Sequence, residues 1–174
     1  MIDLCSRIML FLRNFTGAGG ERFWWLEDGS LIETNAADVV AFAGIVVCHD
    51  FWMIRDALFD ATGTLPAAIV DVDEFRISVS GLPTDRLDRE KRDVTAQLGR
   101  YGAEPQVCEA YRRMFNRGLP FDPEVAASAA TAIGAMYLSL CAQARVDGEL
   151  ERFFSLEIPV YRALQLAMSA SIAI

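Results

Sequence analysis

Apolar and polar positions divide the chain into short strands and longer helices. Between residues 37 and 81, two apolar runs at 45–48 and 67–72 each follow a stretch of helical periodicity, at 38–43 and 50–61. Short runs rich in Val and Ile are typical of buried strands in a sheet that helices cover. The pattern therefore predicts an α/β fold with a partly parallel sheet.

The residues before this unit predict an antiparallel meander. Apolar runs at 6–15 and 22–26 flank the glycine-rich turn 16–20, and a third short strand is expected at 31–33. A meander followed by two helix–strand units predicts one mixed sheet flanked by helices.

The second half of the chain reads as helical. Residues 74–80 are expected to continue the strand at 67–72 or to bend away from it, and residues 81–83 end that run. In the longest helix, Asp122 fits the N-cap and Pro123 the first turn. Pro159 is expected to interrupt the last helical segment. Helices are predicted at 86–101, 105–118, 122–146, 149–156 and 160–169.

Composition places the chain among globular proteins. Its 174 residues are 53% hydrophobic and 23% charged, which excludes a largely disordered chain. The formal charge of −8 argues against a protein that grips nucleic acid over its whole surface. Four separated cysteines and a single histidine exclude zinc-finger spacing, and they predict reduced thiols in a cytoplasmic protein.

One uncharged stretch, residues 125–144, has the length of a membrane helix. It is rich in Ala, Ser and Thr and poor in Leu and Phe, so we expect a helix buried among other elements and no membrane partner. The apolar side chains of residues 167–174 are also expected to be buried against other protein surface. They favour a fragment of a longer protein, or a tail that docks on the chain itself.

Polar side chains follow both central strands. His49 and Asp50 come after the strand at 45–48, and Asp71 and Asp73 close the next one. Strand ends are where open α/β sheets usually place their chemistry. His49 is a candidate general base, and the three carboxylates are candidate ligands of Mg²⁺ or Mn²⁺. The two later aspartates share a face if both lie in a strand. Turn, capping and packing roles remain open for all four residues.

Arginines on two predicted helices are candidates for contacts with nucleic acid. They alternate with acids, so a solvated amphipathic surface is the alternative to a surface that faces phosphates. The candidates are Arg89, Arg92, Arg112, Arg113 and Arg117.

The C-terminal residues 150–174 read LERFFSLEIPVYRALQLAMSASIAI. This segment resembles the junction between the 3′–5′ exonuclease and polymerase domains of family A DNA polymerases, the DNA polymerase I type. Ser171 departs from the glycine that is frequent there. Residues 126–140 resemble the last exonuclease helix, and the predicted meander and helix–strand units are similar to its RNase H-like fold. The residues that fit the junction are Glu157, Pro159, Leu164, Met168 and Ile172.

The exonuclease motifs of that family do not carry over. Its Asp-x-Glu pair belongs on the first strand, where residues 8–13 hold no carboxylate. The second motif has an Asp about four residues beyond a polar residue at a strand end. His49 and Asp50 match the strand end, but the expected Asp falls near Ile54, and Asp56 comes too late. The third motif has Tyr or a similar residue and then Asp in the long helix, and residues 125–130 hold neither. The resemblance therefore implies a domain that keeps at most one ligand position, without a bound metal or nuclease activity.

The resemblance implies two domains and an architectural role. Residues 1–122 would form the exonuclease-like α/β domain, and 123–174 the helices that lead towards a polymerase domain. The chain would then support replication or repair, guiding DNA within the parent polymerase, with the polymerase domain packed on its C-terminal helices.

Two alternatives remain open. One is an active metal-dependent 3′–5′ exonuclease that uses Asp50, Asp71 and Asp73, with His49 beside them. The other is an α/β protein-interaction module with an apolar patch at the C-terminal helix, closed by a partner or by dimerisation.

Overall fold

The computed structural model describes residues 6–13, 21–80, 94–117 and 120–172, with side chains at a few of these positions left out. Its strands are β1 Ser6–Arg13, β2 Glu21–Glu27, β3 Ser30–Thr34, β4 Ile45–Cys48 and β5 Ala68–Asp71. Its α-helices are α1 Ala36–Ala41, α2 Phe51–Thr62, α3 Val72–Ser80, α4 Val94–Gln97, α5 Pro105–Arg117, α6 Pro123–Val146, α7 Leu150–Arg152 and α8 Ile158–Ile172. A 3₁₀ turn, Leu98–Tyr101, follows α4.

The five described strands form one mixed sheet in the order β3-β2-β1-β4-β5. The first three strands are antiparallel neighbours, and β1, β4 and β5 run parallel. This arrangement confirms the predicted meander, the mixed sheet and the α/β class. Both parallel connections contain a helix, as crossovers between parallel strands usually do.

Helices cover both faces of the sheet. On one face, Met9 and Phe11 of β1 pack in a cluster with α1 and α2. On the other, Leu10 packs in a second cluster with α3, α5 and α6. The alternation of buried neighbours along β1 follows from the two-residue period of a strand. Residues on both sides of the predicted boundary at 122/123 share this second core.

The long helix α6 lies close against the sheet because it presents small side chains. Asp122 caps it by accepting hydrogen bonds from the backbone N–H groups of Glu124 and Val125, as predicted. A Cβ on Gly134 would lie 3.3 Å from Cγ1 of Ile8, so glycine permits this approach. Among the described helices, α6 alone is long and apolar enough to cross a bilayer, and half of its most apolar window is buried in the fold.

The prediction of a strand at 74–80 was wrong, because these residues belong to α3. The helix buries Val72 and Phe75, and Val79 packs partly against the same core. That i, i+3, i+7 spacing is helical. The β-branched residues had favoured a strand, and packing against the core outweighs this preference.

Pro159 does not interrupt the last helix, which corrects a second prediction. A π turn, Phe153–Glu157, joins α7 to α8, so residues 150–172 form one continuous C-terminal helix. A proline ring collides with the carbonyl four residues earlier in a regular helix. The wider π turn just before Pro159 changes that spacing.

The C-terminal helix lies along β5, the last described strand of the sheet. Arg162 holds it there by donating hydrogen bonds to the carbonyl oxygens of Pro66 and Leu65, at 2.8 and 3.1 Å. Arg55 of α2 donates another to Gln165, at 3.2 Å. These contacts fix the C-terminal helix beside β5, an edge strand of the described sheet.

Candidate functional site

The carboxyl ends of β4 and β5 bring His49, Asp50, Asp71 and Asp73 into one region. The two strands pair in parallel with Cys48 opposite Asp71, so the residues that follow them meet at the same edge. The shared face that was expected if Asp71 and Asp73 both lay in a strand does not apply, because β5 ends at Asp71 and Asp73 lies in the first turn of α3.

Asp71 ties two helices to the end of its strand. One carboxylate oxygen accepts a hydrogen bond from the backbone N–H of Phe51, the first residue of α2, at 2.8 Å. The other accepts from the N–H of Asp73 in α3, at 3.0 Å. The first N–H groups of a helix have no partner within the helix. Asp71 therefore caps α2 and α3 together, and both of its oxygens are engaged.

Burial controls the charge of Asp71, which is 6% exposed. Burial raises its pKa from 3.8 to about 6, and the charge of Asp50 adds to this rise. The backbone hydrogen bonds from Phe51 and Asp73 act in the opposite direction. Asp71 thus titrates above the usual range of an aspartate.

His49 is also buried, and its ring is held between two side chains. Nε2 lies 2.9 Å from the hydroxyl of Tyr111 on α5, and Nδ1 lies 3.4 Å from a carboxylate oxygen of Asp50. Burial would raise the pKa of Asp50, but hydrogen bonds and the charge of His49 outweigh it, and the pKa is lowered. Tyr111 is 62 residues away in the chain, and no sequence motif marked it.

Removing the Tyr111 hydroxyl tests this link. We expect Tyr111→Phe to lower the free energy of unfolding by about 1 kcal/mol, because it removes the buried hydrogen bond to His49. Urea unfolding followed by circular dichroism measures the change. Tyr101→Phe, at a half-buried tyrosine, is the matched control. Equal stability of the two variants would contradict a structural role for this hydrogen bond.

Asp73 and Asp50 do not join Asp71 in a metal site. Arg76 holds Asp73 through a salt bridge of 2.7 Å, and the pKa of Asp73 is raised by burial against the effect of Arg76. In the parts of the chain that the structure describes, no three His, Cys, Asp or Glu side chains are grouped to hold a metal ion. The alternative with Mg²⁺ or Mn²⁺ therefore lacks a ligand set within those parts.

The first strand and the long helix supply no carboxylate to this region. Met9, Leu10 and Phe11 of β1 are buried in the two cores. At the start of α6, Ala126, Ala129 and Ala130 pack in the core beneath the sheet. Apolar side chains fill positions where the resemblance places metal ligands.

Two of the five candidate arginines have described side chains. Arg112 and Arg113 on α5 pair with Glu109 at 3.6 and 2.9 Å, and Arg112 also donates to Thr95. About half of each arginine side chain is exposed. Arg89 and Arg92 lie outside the described residues, as does the side chain of Arg117. A nucleic-acid contact by these arginines stays a prediction.

The structure has a groove beside the C-terminal helix, where the interaction-module alternative expects an apolar patch. A cavity of about 480 Å³ lies between the C-terminal helix and the surface formed by β5 and α3. Its apolar lining includes Phe75, Phe153 and Val160, and Asp71 lines it as well. The four-residue spacing of apolar side chains along the C-terminal helix was the sequence signal for this surface.

No protein-family model matches the chain, and no curated protein sequence matches it.

Proposed function

We propose that the chain is a non-catalytic, RNase H-like exonuclease-type domain of a family A DNA polymerase, with an architectural role in DNA replication or repair. The observation that carries the proposal is that the Asp71 carboxylate caps two helices. Both oxygens of this candidate ligand hold helix termini, and Asp73 is held by Arg76. Carboxylates that a nuclease would direct at metal ions hold the fold together here.

The strand order supports the RNase H-like part of the proposal. That fold begins with a meander and continues with two helix–strand units. The meander β1–β3 is extended beside β1 by the parallel strands β4 and β5, each reached through helical structure. The candidate acids lie at the carboxyl ends of the added strands, where α/β sheets place functional groups.

The C-terminal helix supports the proposed contact with a polymerase domain. It exposes large apolar side chains, and a surface of this kind is usually covered by a partner or a neighbouring domain. Arg112 and Arg113 would guide DNA from the exposed side of α5. A cytoplasmic location accompanies this role.

A nuclease assay tests the proposed loss of catalysis. A 5′-labelled single-stranded DNA is incubated with the protein and Mn²⁺, with and without EDTA. We expect no EDTA-sensitive shortening at high protein concentration, because the engaged carboxylates would not hold the two ions that such chemistry uses.

The control for this assay is the double variant Asp50→Asn/Asp73→Asn, which leaves the Asp71 cap in place. Shortening that requires Mn²⁺ and disappears in the double variant would show an active nuclease and refute the proposed function. Shortening that persists in the variant would point to a contaminating enzyme, which a second purification step would remove.

A further inference from the structure

The groove beside the C-terminal helix is bordered by an apolar ridge of that helix. Leu156, Val160, Leu164 and Met168 follow one another at four-residue intervals and are each 49–58% exposed. Residues four apart lie on one face of a helix, so they form an apolar ridge that spans about 18 Å along the axis. Three of these side chains, from Leu156 to Leu164, line the cavity.

The wall opposite the ridge comes from α3. Ile77 supplies apolar surface above the buried Phe75, and Ser78 donates a hydrogen bond of 2.6 Å to Glu157 across the groove. Phe75 also stacks on Phe153, with ring centroids 3.9 Å apart. The groove therefore has a floor fixed by packing and two helical walls, the geometry that receives a third helix.

The charges at the groove all have one sign. Among its described lining residues, the ionised groups are the carboxylates Asp71, Glu74 and Glu157, and none is basic. Glu157 pairs with Arg152 at one end. Burial and the neighbouring Asp73 raise the pKa of Glu74, so a nearby cation would stabilise its ionised form.

The acidic groups of the groove favour a basic binding partner over a second copy of the chain. A second copy would bring the same carboxylates to the groove and another −8 of formal charge. A partner helix with Lys or Arg beside its apolar ridge would instead meet complementary charges. The length of the ridge also suits a helix better than a small molecule.

We propose that this groove binds an amphipathic helix of a partner protein, whose apolar ridge packs on Leu156, Val160 and Leu164 and whose flanking Lys or Arg side chains meet Glu74 and Glu157. The inference deepens the proposed architectural role, because it names the kind of element, an amphipathic helix with basic flanks, that would pack on the C-terminal helix. It rests on that role only in treating the groove as a contact surface. The nuclease assay tests the role, and a binding assay tests the groove.

The probes are three fluorescein-labelled synthetic peptides of about 18 residues, the length that matches the ridge with a margin. One has leucines at helical spacing flanked by Lys, one has the same leucines flanked by Glu, and one is a scramble of the first with the same charge. Fluorescence anisotropy measures their binding to the whole chain. We expect the Lys-flanked helix to bind at least about tenfold more tightly than either of the others.

Two variants test whether the peptide binds in the groove. Leu164→Glu should weaken the Lys-flanked peptide by about tenfold or more, because it puts a charge in the apolar contact. Glu74→Gln should reduce the ratio between the affinities for the Lys-flanked and the Glu-flanked peptide. Leu138→Glu is the matched control, because Leu138 is an exposed leucine on α6, away from the groove, and binding should not change. Circular dichroism checks that each variant folds.

Three results would overturn the proposal. Equal binding of the Lys-flanked and scrambled peptides would show attraction to net charge alone. No binding of the Lys-flanked peptide would show that the groove does not take such a helix. A dimer in sedimentation velocity that Leu164→Glu converts to a monomer would assign the groove to a second copy.

Discussion

Replacing Asp71 by alanine is expected to lower the free energy of unfolding by about 2–6 kcal/mol at pH 5. The variant leaves the backbone N–H groups of Phe51 and Asp73 without their acceptor, and each buried, unsatisfied donor costs about 1–3 kcal/mol. The first turns of α2 and α3 would lose their shared cap. Urea unfolding monitored by circular dichroism measures the loss.

The effect of this substitution should depend on pH. The pKa of Asp71 is raised in the folded state to about 6, from an ordinary value of 3.8. The penalty for a buried carboxylate is therefore fully present above pH 6 and disappears as the pH falls towards 4. Wild type should gain about 1 kcal/mol from this group between pH 8 and pH 5, and Asp71→Ala should not. The substitution is thus more destabilising at pH 5 than at pH 8.

Asp60→Ala is the control for both measurements, because Asp60 is an exposed carboxylate on α2. We expect it to change stability by less than about 0.5 kcal/mol at either pH. A loss for Asp71→Ala that is equally small and independent of pH would contradict the capping role. That result would return Asp71 to the set of candidate functional carboxylates.

Replacing Phe75 by alanine is expected to lower the free energy of unfolding by about 3–5 kcal/mol, the range for buried aromatic side chains. Phe75 is fully buried in the core, stacks on Phe153 of the C-terminal helix and lies 6.3 Å from the ring of Tyr137 on α6. Its loss would leave a cavity where α3, α6 and the C-terminal helix meet. Guanidinium unfolding measures the change.

Trp52→Ala is the matched control for this aromatic truncation. Trp52 is 62% exposed on α2, so its removal should change stability by less than about 1 kcal/mol. If Phe75→Ala were as mild as Trp52→Ala, the packing of α3 between the long helix and the C-terminal helix would be refuted. Phe75→Leu should fall between the two, because it keeps much of the buried volume.

Periodicity predicted most of the architecture. The strand at 45–48 was placed with its observed bounds, and Asp122 with Pro123 marked the start of α6. Both signals are local, since they depend on the spacing of neighbouring side chains and on cap chemistry. The start of α3 was missed because it depends on a hydrogen bond from the backbone N–H of Asp73 to the Asp71 carboxylate. Residues 74–80 had been assigned to a strand, and Asp71 had been treated as a candidate metal ligand.

The candidate site was predicted in position but not in chemistry. Parallel strands explain why residues after β4 and β5 meet, and this could be read from sequence. The hydrogen-bond and salt-bridge partners of these residues could not be predicted from the sequence. Tyr111 reaches His49 from a helix far along the chain, and nothing in its local sequence marks that contact. Arg76 was visible three residues after Asp73, but only a helix at 72–80 makes that spacing a salt bridge.

The π turn Phe153–Glu157 lets the last helix hold one extra residue without losing its phase. Because each residue of a regular helix turns by about 100°, a residue inserted into a regular helix would rotate everything after it, whereas the wider π turn absorbs that rotation. Deleting one residue within the turn would therefore restore α geometry and leave Val160 and Leu164 facing the groove and Arg162 at the carbonyls of Leu65 and Pro66. The same deletion further along α8 would turn the residues that follow it by about 100°, so the length of the helix can change at the π turn during evolution while its two faces keep their roles.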